Sequence, residues 1–313
     1  MSKILVAGGA GYVGGHLVDL LLERGHEVTV YDALVYETRY LKRAEFIRGD
    51  IRDREKLGAI ISDYDVVVWL AALVGDGACA VDYFLTQSLN EDTVRWLTEN
   101  YSGKIVFMST CSVYGASDGV LDETADTNPL SAYAKTKLNA EAELQEHPDH
   151  LIFRLGTLHG ISDEHSRIRL DLVANILTMK AVLHEPLSVF GGEQWRPLLH
   201  VKDVAEAALF GIENEITGLY NLHEKNMQII DIARAIQDMI PCEIKLQDMM
   251  FQDQRNYRAS SDLYRAQGWM PKYTLQEGIA DIQKLIEDER IKDVEDEIYS
   301  NAKWVATRYS SAW

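Results

Sequence analysis

With 313 residues, 47% of them hydrophobic, the chain can bury a large core, as one big domain or two unequal ones. A formal net charge of -18 disfavours nucleic acid and anionic membranes as partners. No apolar run approaches the ~20 residues that cross a bilayer, and no basic, apolar leader is visible, so a cytoplasmic location is expected. Cys79, Cys111 and Cys242 are too few and too scattered for a disulfide framework or a zinc site; reduced thiols and no bound metal are expected.

Residues 4–15, ILVAGGAGYVGG, run from an apolar strand into a glycine-rich turn and then a helix. Gly8 allows the tight turn, Gly11 lets backbone approach a pyrophosphate, and Gly14 lets the helix pack on the sheet. The free N–H groups of a helix starting near Tyr12 then face the phosphates. That helix spans 16–24 and closes at Gly25. A strand over 27–31 ends at Asp32, whose carboxylate accepts from a ribose 2′-hydroxyl and repels a 2′-phosphate, pointing to NAD over NADP.

Further on, 46–51 reads as a short strand ending in Asp50, which either meets the adenine amino group or caps a helix from Asp53. The fully apolar strand 66–70 belongs at the sheet centre, and the small residues Ala71, Ala72 and Gly75 beyond it let backbone lie against a cofactor. Helical periodicity over about 81–101 carries Asn90 toward a strand at 105–109. A loop over 110–129, a helix over about 132–145 and a strand over 151–155 follow. Alternation then loosens. Arg167-Ile168-Arg169 opens a helix toward Leu183, 187–190 is a strand, and 196–203 leads back to a helix over 204–212. An extended piece at 219–222 precedes helices over 229–240 and 275–289. This is an α/β, doubly wound parallel sheet of Rossmann type with a smaller, interleaved C-terminal α/β unit. Residues 1–155 and about 197–214 form the cofactor domain; about 156–196 and 215–313 form the substrate domain. The acidic stretch 287–297 offers no functional reading, and Trp304, Tyr309 and Trp313 are expected to pack on the body or on a partner chain.

Tyr133 and Lys137 share a helix face at i and i+4, directly after the strand carrying Ser109 and Thr110. Tyr299 and Lys303 repeat the spacing in the polar tail. A phenol acting as base near neutrality needs roughly 4 kcal/mol of help, about what one ammonium at ~4 Å supplies. Lys137 and a positive nicotinamide together suffice, and Thr110 would hydrogen-bond the reacting hydroxyl. Arg167, Arg169, Arg196 and Arg255 are the candidates for anionic substrate groups, because a guanidinium fork matches phosphate oxygens.

Taken in order, the glycine turn, Asp32, Asp50, Ala71-Ala72, Ser109 through Gly115, Tyr133 with Lys137, and His200 through Val204 resemble the extended short-chain dehydrogenase/reductases. Within them, the chain is similar to the NAD-dependent epimerase/dehydratase group acting on nucleotide-diphosphate sugars. The resemblance implies a Thr110, Tyr133, Lys137 triad and a cofactor lining that adds Val13, Ile51, Leu70, Val74, Asn90, Ser109 and Leu155. It implies substrate contacts from Ser112, Thr157 and Asn175 beside the arginines, with Arg255 at the diphosphate, and a homodimer built through the helices after Ala80 and Ser131. Thr157 stands where relatives often carry Asn, and Ala7 where they carry Thr. The string 167–172 with Asn175, 70–75 and 255–257 is similar to the GDP-manno-heptose 4-dehydrogenases, which points to sugar carbon 4. Dehydratases of the group place Asp-Glu after the Thr; Cys111-Ser112 stands there instead, so 4,6-dehydration is not expected. Relatives that also epimerise beside the ketone carry Cys where Ser112 stands, and Cys111, one residue early, would point the other way. What remains is hydride removal followed by return to the opposite face, or release of the ketone by a dehydrogenase or ketoreductase. A second reading is a protein that senses NAD(H) without chemistry.

Overall fold

The computed structural model describes residues 1–247 and 255–309. Its frame is a seven-stranded sheet whose pairings are all parallel. The strands are β1 (Lys3–Ala7), β2 (Glu27–Asp32), β3 (Glu45–Arg48), β4 (Val66–Trp69), β5 (Lys104–Thr110), β6 (His150–Leu155) and β7 (Gly218–Leu222), in the order β3-β2-β1-β4-β5-β6-β7. Strand alternation divides the core. Ile4 and Val6 face one layer, with Leu17, Val18 and Leu21 of α1 (Gly14–Glu23) and Val204, Ala208 and Ile212 of α4 (Val201–Glu213). Leu5 and Ala7 face the other, with Leu97 of α2 (Thr93–Asn100) and Ala140 and Leu144 of α3 (Ala132–Gln145). Each fully buried Leu, Ile or Val contributes about 1.5–3 kcal/mol, so this two-sided burial holds the central strands in place.

Strand order reverses between β1 and β4, and the crevice outside their carboxyl ends is where doubly wound sheets receive ligands. A smaller layer beside it is built on an apolar cluster including Ala174, Leu177, Leu198, Ile232, Ile236 and Ile279. The strand Trp195–His200 pairs with Thr157–His159 and Lys225–Gln228, then leads straight into α4, which His200 caps by accepting from Lys202 N at 3.1 Å.

Several elements differ from the sequence expectation. The helix expected from Arg167 begins at Val173. Residues 167–172 are instead held extended by tertiary bonds: Leu170 N donates to Tyr299 O, and Asn175 Nδ2 donates to Arg169 O. The expected loop over 110–129 contains a 3-10 turn, Cys111–Tyr114, and a strand, Ala116–Leu121, which pairs with Asn256–Ala259. The helix over 81–101 is Tyr83–Gln87 joined to α2 through a π-turn at Ser88–Asp92. β3 stops at Arg48, and the helix Arg54–Gly58 is capped by Asp53, not Asp50. Residues 218–222, beyond the 214 boundary drawn from sequence, complete the main sheet. Trp304 and Tyr309 lie in a terminal helix, Asn301–Tyr309, while Trp313 falls outside the described residues. No helix among the described residues is long and apolar enough to cross a membrane.

Candidate active site

At the β1–α1 turn, Gly8 has φ +86°, and a Cβ there would lie 2.6 Å from Ala71 N, on the loop leaving β4. A Cβ on Gly14 would run into the Gly8 carbonyl. Gly11 N donates to Gly8 O at 3.1 Å, closing the turn. Among the described residues, the N–H groups of Tyr12 and Val13, just before α1, have no hydrogen-bond partner. A tight turn that excludes side chains and points free donors along a helix axis fits a dinucleotide pyrophosphate. The Tyr12 hydroxyl is spent elsewhere, donating to Gly160 O at 2.6 Å.

Asp32 ends β2 beside this turn and accepts from Ala10 N (3.1 Å) and Leu34 N (2.8 Å); burial raises its pKa, and lone pairs remain for a ribose hydroxyl. Asp50 is paired with Arg52 at 2.6 Å, which holds its carboxyl below the usual range. Ile51 is buried in the apolar layer with Leu57. Leu70 N and Ala71 N both donate to Ala7 O, which carries the following Ala72 and Val74 along the crevice. Asn90, expected at the cofactor, places its amide on Leu73, accepting from N and donating to O, each at 2.8 Å. It shapes the loop from beneath.

β5 ends in Ser109 and Thr110, and α3 starts from a Ser131 cap that accepts from Ala134 N. This brings Tyr133 beside Thr110. Burial of the phenol pushes its pKa well above the ordinary value, while the nearby Arg169 charge and the Thr110 hydroxyl act the other way. Lys137, one turn along α3, is buried, donates to Met108 O at 2.8 Å and lies 4.5 Å above the Phe107 ring. Burial brings its ammonium down to about 8. At about 8 it stays protonated near neutrality, so Lys137, one turn from the phenol, and Arg169 are both cations near Tyr133. Thr110 Oγ1 also accepts from Ser112 N at 3.1 Å, and Ser112 Oγ lies 3.1 Å from Tyr257 OH.

A pattern characteristic of the NAD dependent epimerase/dehydratase family matches residues 4–222. The chain belongs to that family. The UDP-glucose 4-epimerase of Halalkalibacterium halodurans is 30% identical over 86% of this chain and 91% of its own. Among solved structures, the Thermus thermophilus UDP-glucose 4-epimerase in complex with NAD is similar at TM-score 0.78 and 26% identity, over 92% of this chain and 99% of that one. The Bacillus cereus UDP-glucuronic acid 4-epimerase, in complex with UDP-glucuronic acid and NAD, is similar at TM-score 0.79 and 25% identity, over 91% and 99%.

Within this epimerase/dehydratase frame the arginines separate. Arg255 and Arg196 come together, Arg196 Nη1 donating to Arg255 O at 2.5 Å, and Arg255 pairs with Asp76 at 2.8 Å. Asp76 also accepts from Ser131 Oγ at 2.7 Å, tying Arg255 to the start of α3. Arg169 pairs with Asp171 at 3.0 Å and approaches Gly75. Arg167, expected at the substrate, is instead consumed by the tail: it donates to Ile298 O at 2.7 Å and to the Asn301 side chain, and lies 3.6 Å over the Tyr36 ring. Asn175 is also taken, bonding Gly160 N (3.0 Å), Gly160 O (2.9 Å) and Arg169 O (2.7 Å). Thr157 and Leu155 sit on adjacent short strands at the crevice side, where Thr157 pairs in register with Leu198.

Sequence reading missed the charge network beneath Thr110, Tyr133 and Lys137. Glu141, one turn past Lys137, is fully buried, accepts from Ser109 Oγ and pairs with Arg154 at 2.7 Å. Arg154 also donates to Tyr114 OH at 2.9 Å. The 137/141 spacing on one helix was the available signal. Cys111 is fully buried, donates to Arg154 O at 3.2 Å, and has its thiol pKa pushed up by burial.

Proposed function

We propose that this enzyme oxidises carbon 4 of a nucleotide-diphosphate sugar by hydride transfer to NAD, with Tyr133 as base, and returns the hydride to the opposite face. The observation that carries the reading is Tyr133 enclosed beside Thr110 at the carboxyl end of β5, one helical turn from buried Lys137. NAD, when bound, accepts the hydride, and its oxidised ring brings a positive charge. Tyr133 is protonated in the protein alone, so its function as base depends on that added charge together with Lys137, still protonated near neutrality, and Arg169. A unit charge at ~4 Å at an effective dielectric of 20 is worth about 4 kcal/mol, about three pH units, and because burial starts the phenol above its ordinary value more than one such charge is needed to bring it to neutrality. Thr110 holds the reacting hydroxyl against the phenol; Arg196 and Arg255 receive the diphosphate, with Asp76 releasing Arg255 to it. Gly8, Gly11 and Gly14 seat the pyrophosphate of NAD, and Asp32 its ribose.

Relatives named UDP-glucose 4-epimerase support return to the opposite face. The enclosed Cys111 thiol offers no base for a second carbon. A homodimer is part of the same proposal; the helix it would use, Tyr83–Gln87, carries the exposed Phe84. The deciding experiment is Tyr133→Phe assayed with UDP-glucose and other nucleotide sugars. Turnover is expected to fall about 10²–10⁴-fold with NAD binding retained. Undiminished turnover removes Tyr133 from the reaction.

A further inference from the structure

We propose that Asn301, on the C-terminal helix, is a positioning residue that clamps the rim of the cofactor crevice, so that the tail works as a strap governing nucleotide release. This rests on the NAD reading given above. Asn301 lies outside the stretch that matches the family and is only 2% exposed. Its backbone N donates to Asp171 Oδ2 (2.9 Å) and its Nδ2 to Val74 O (2.8 Å); its Oδ1 accepts from Arg167 and from Tyr36 OH (3.3 Å).

Those partners come from three separate rim segments. Tyr36 follows β2, Val74 follows β4, and Arg167 and Asp171 flank Arg169, whose charge acts on Tyr133. A buried polar side chain bonded at both its oxygen and its nitrogen is held in one geometry, and it holds its partners likewise. Apolar packing reinforces the grip. Trp304 lies 5.3 Å from the Tyr36 ring, and Val305 is buried with Leu73, Ala78 and Cys79. The loop after β4 is thus fixed from beneath by Asn90 on Leu73 and from outside by Asn301 on Val74. A dinucleotide seated on the free N–H groups of Tyr12 and Val13 and bounded by that loop leaves only when the clamp opens.

Asn301→Asp decides the matter, because aspartate still accepts from Arg167 and Tyr36 but cannot donate to Val74 O. NADH release from the full chain is followed by fluorescence during a chase with NAD, and backbone hydrogen exchange over 70–79 is measured without nucleotide. Release about tenfold faster than the parent, the factor carried by one lost hydrogen bond of about 1.4 kcal/mol, is expected. Faster exchange over 70–79 should accompany it, with the unfolding temperature close to the parent's. Asn301→Ala should release at least as fast. An unchanged release rate, or unchanged exchange over 70–79, overturns the clamp. A parent chain that binds no NADH overturns the NAD reading instead, and the exchange measurement then judges the clamp alone.

Discussion

Lys137 is costly to the fold that carries it. Its ammonium is buried against Met108 O and Phe107, and burial takes it from 10.5 to about 8. At about 1.4 kcal/mol per pH unit, that fall corresponds to about 3 kcal/mol of destabilisation when the group is charged. Below pH 8 the lysine is protonated in folded and unfolded chains alike, and the native state bears the whole cost. Between pH 8 and 10.5 the native chain gives up its proton while the unfolded chain keeps it, so the cost fades with rising pH. Above 10.5 it is gone. Lys137→Met fills similar space without charge and forfeits one hydrogen bond, worth about 1 kcal/mol. The variant should therefore be more stable than the parent by about 2 kcal/mol near pH 7, with the advantage shrinking above pH 8 and reversing to a deficit of about 1 kcal/mol by 10.5, while turnover is lost. Urea unfolding of both cofactor-free proteins across that range gives the difference directly. A variant less stable than the parent near neutrality, or a difference indifferent to pH, would refute the burial argument.

Gly8→Ala places a Cβ against Ala71 N in a left-handed backbone, so the turn must open; NAD affinity by calorimetry should fall at least tenfold, about 1.4 kcal/mol, and unaltered affinity would mean the cradle lies elsewhere. Arg154→Leu leaves Glu141 buried without its cation and should cost about 3–5 kcal/mol in chemical denaturation. Adding Glu141→Leu should recover most of that loss, and a double variant no better than the single one would count against a buried-charge origin.

What could be read in the chain beforehand was what depends on near neighbours. The helix at 132–145 and the strand at 187–190 are set by adjacent residues and appear at those bounds. The glycine turn is legible because each glycine answers a nearby steric demand. Illegible were side chains whose partners lie far along the sequence. Arg167 looked like a phosphate ligand, yet its partner Asn301 is 134 positions away. Asn90 and Asn175 looked like ligands too, but an amide serves an irregular backbone equally well, and nothing local reveals that Leu73 or Gly160 needs one. The same reason hid the start of the helix at Val173: residues 167–172 have helical neighbours but are held straight by Tyr299 and Asn175. Lys303, spaced from Tyr299 as Lys137 is from Tyr133, lies exposed and paired with Glu295.

The strand order also bears on how the chain is made. β1, first off the ribosome, sits mid-sheet; β2 and β3 extend one flank, and β4, β5 and β6 then extend the other. Each new strand meets an edge already in existence, so no strand must be prised open to admit a later one. The last addition comes late: β6 ends at Leu155, and β7, which covers it, is not complete until Leu222. Through some sixty-odd residues of synthesis the nascent protein carries the bare apolar border Leu151, Ile152 and Phe153, the interval in which it most needs shielding from its neighbours.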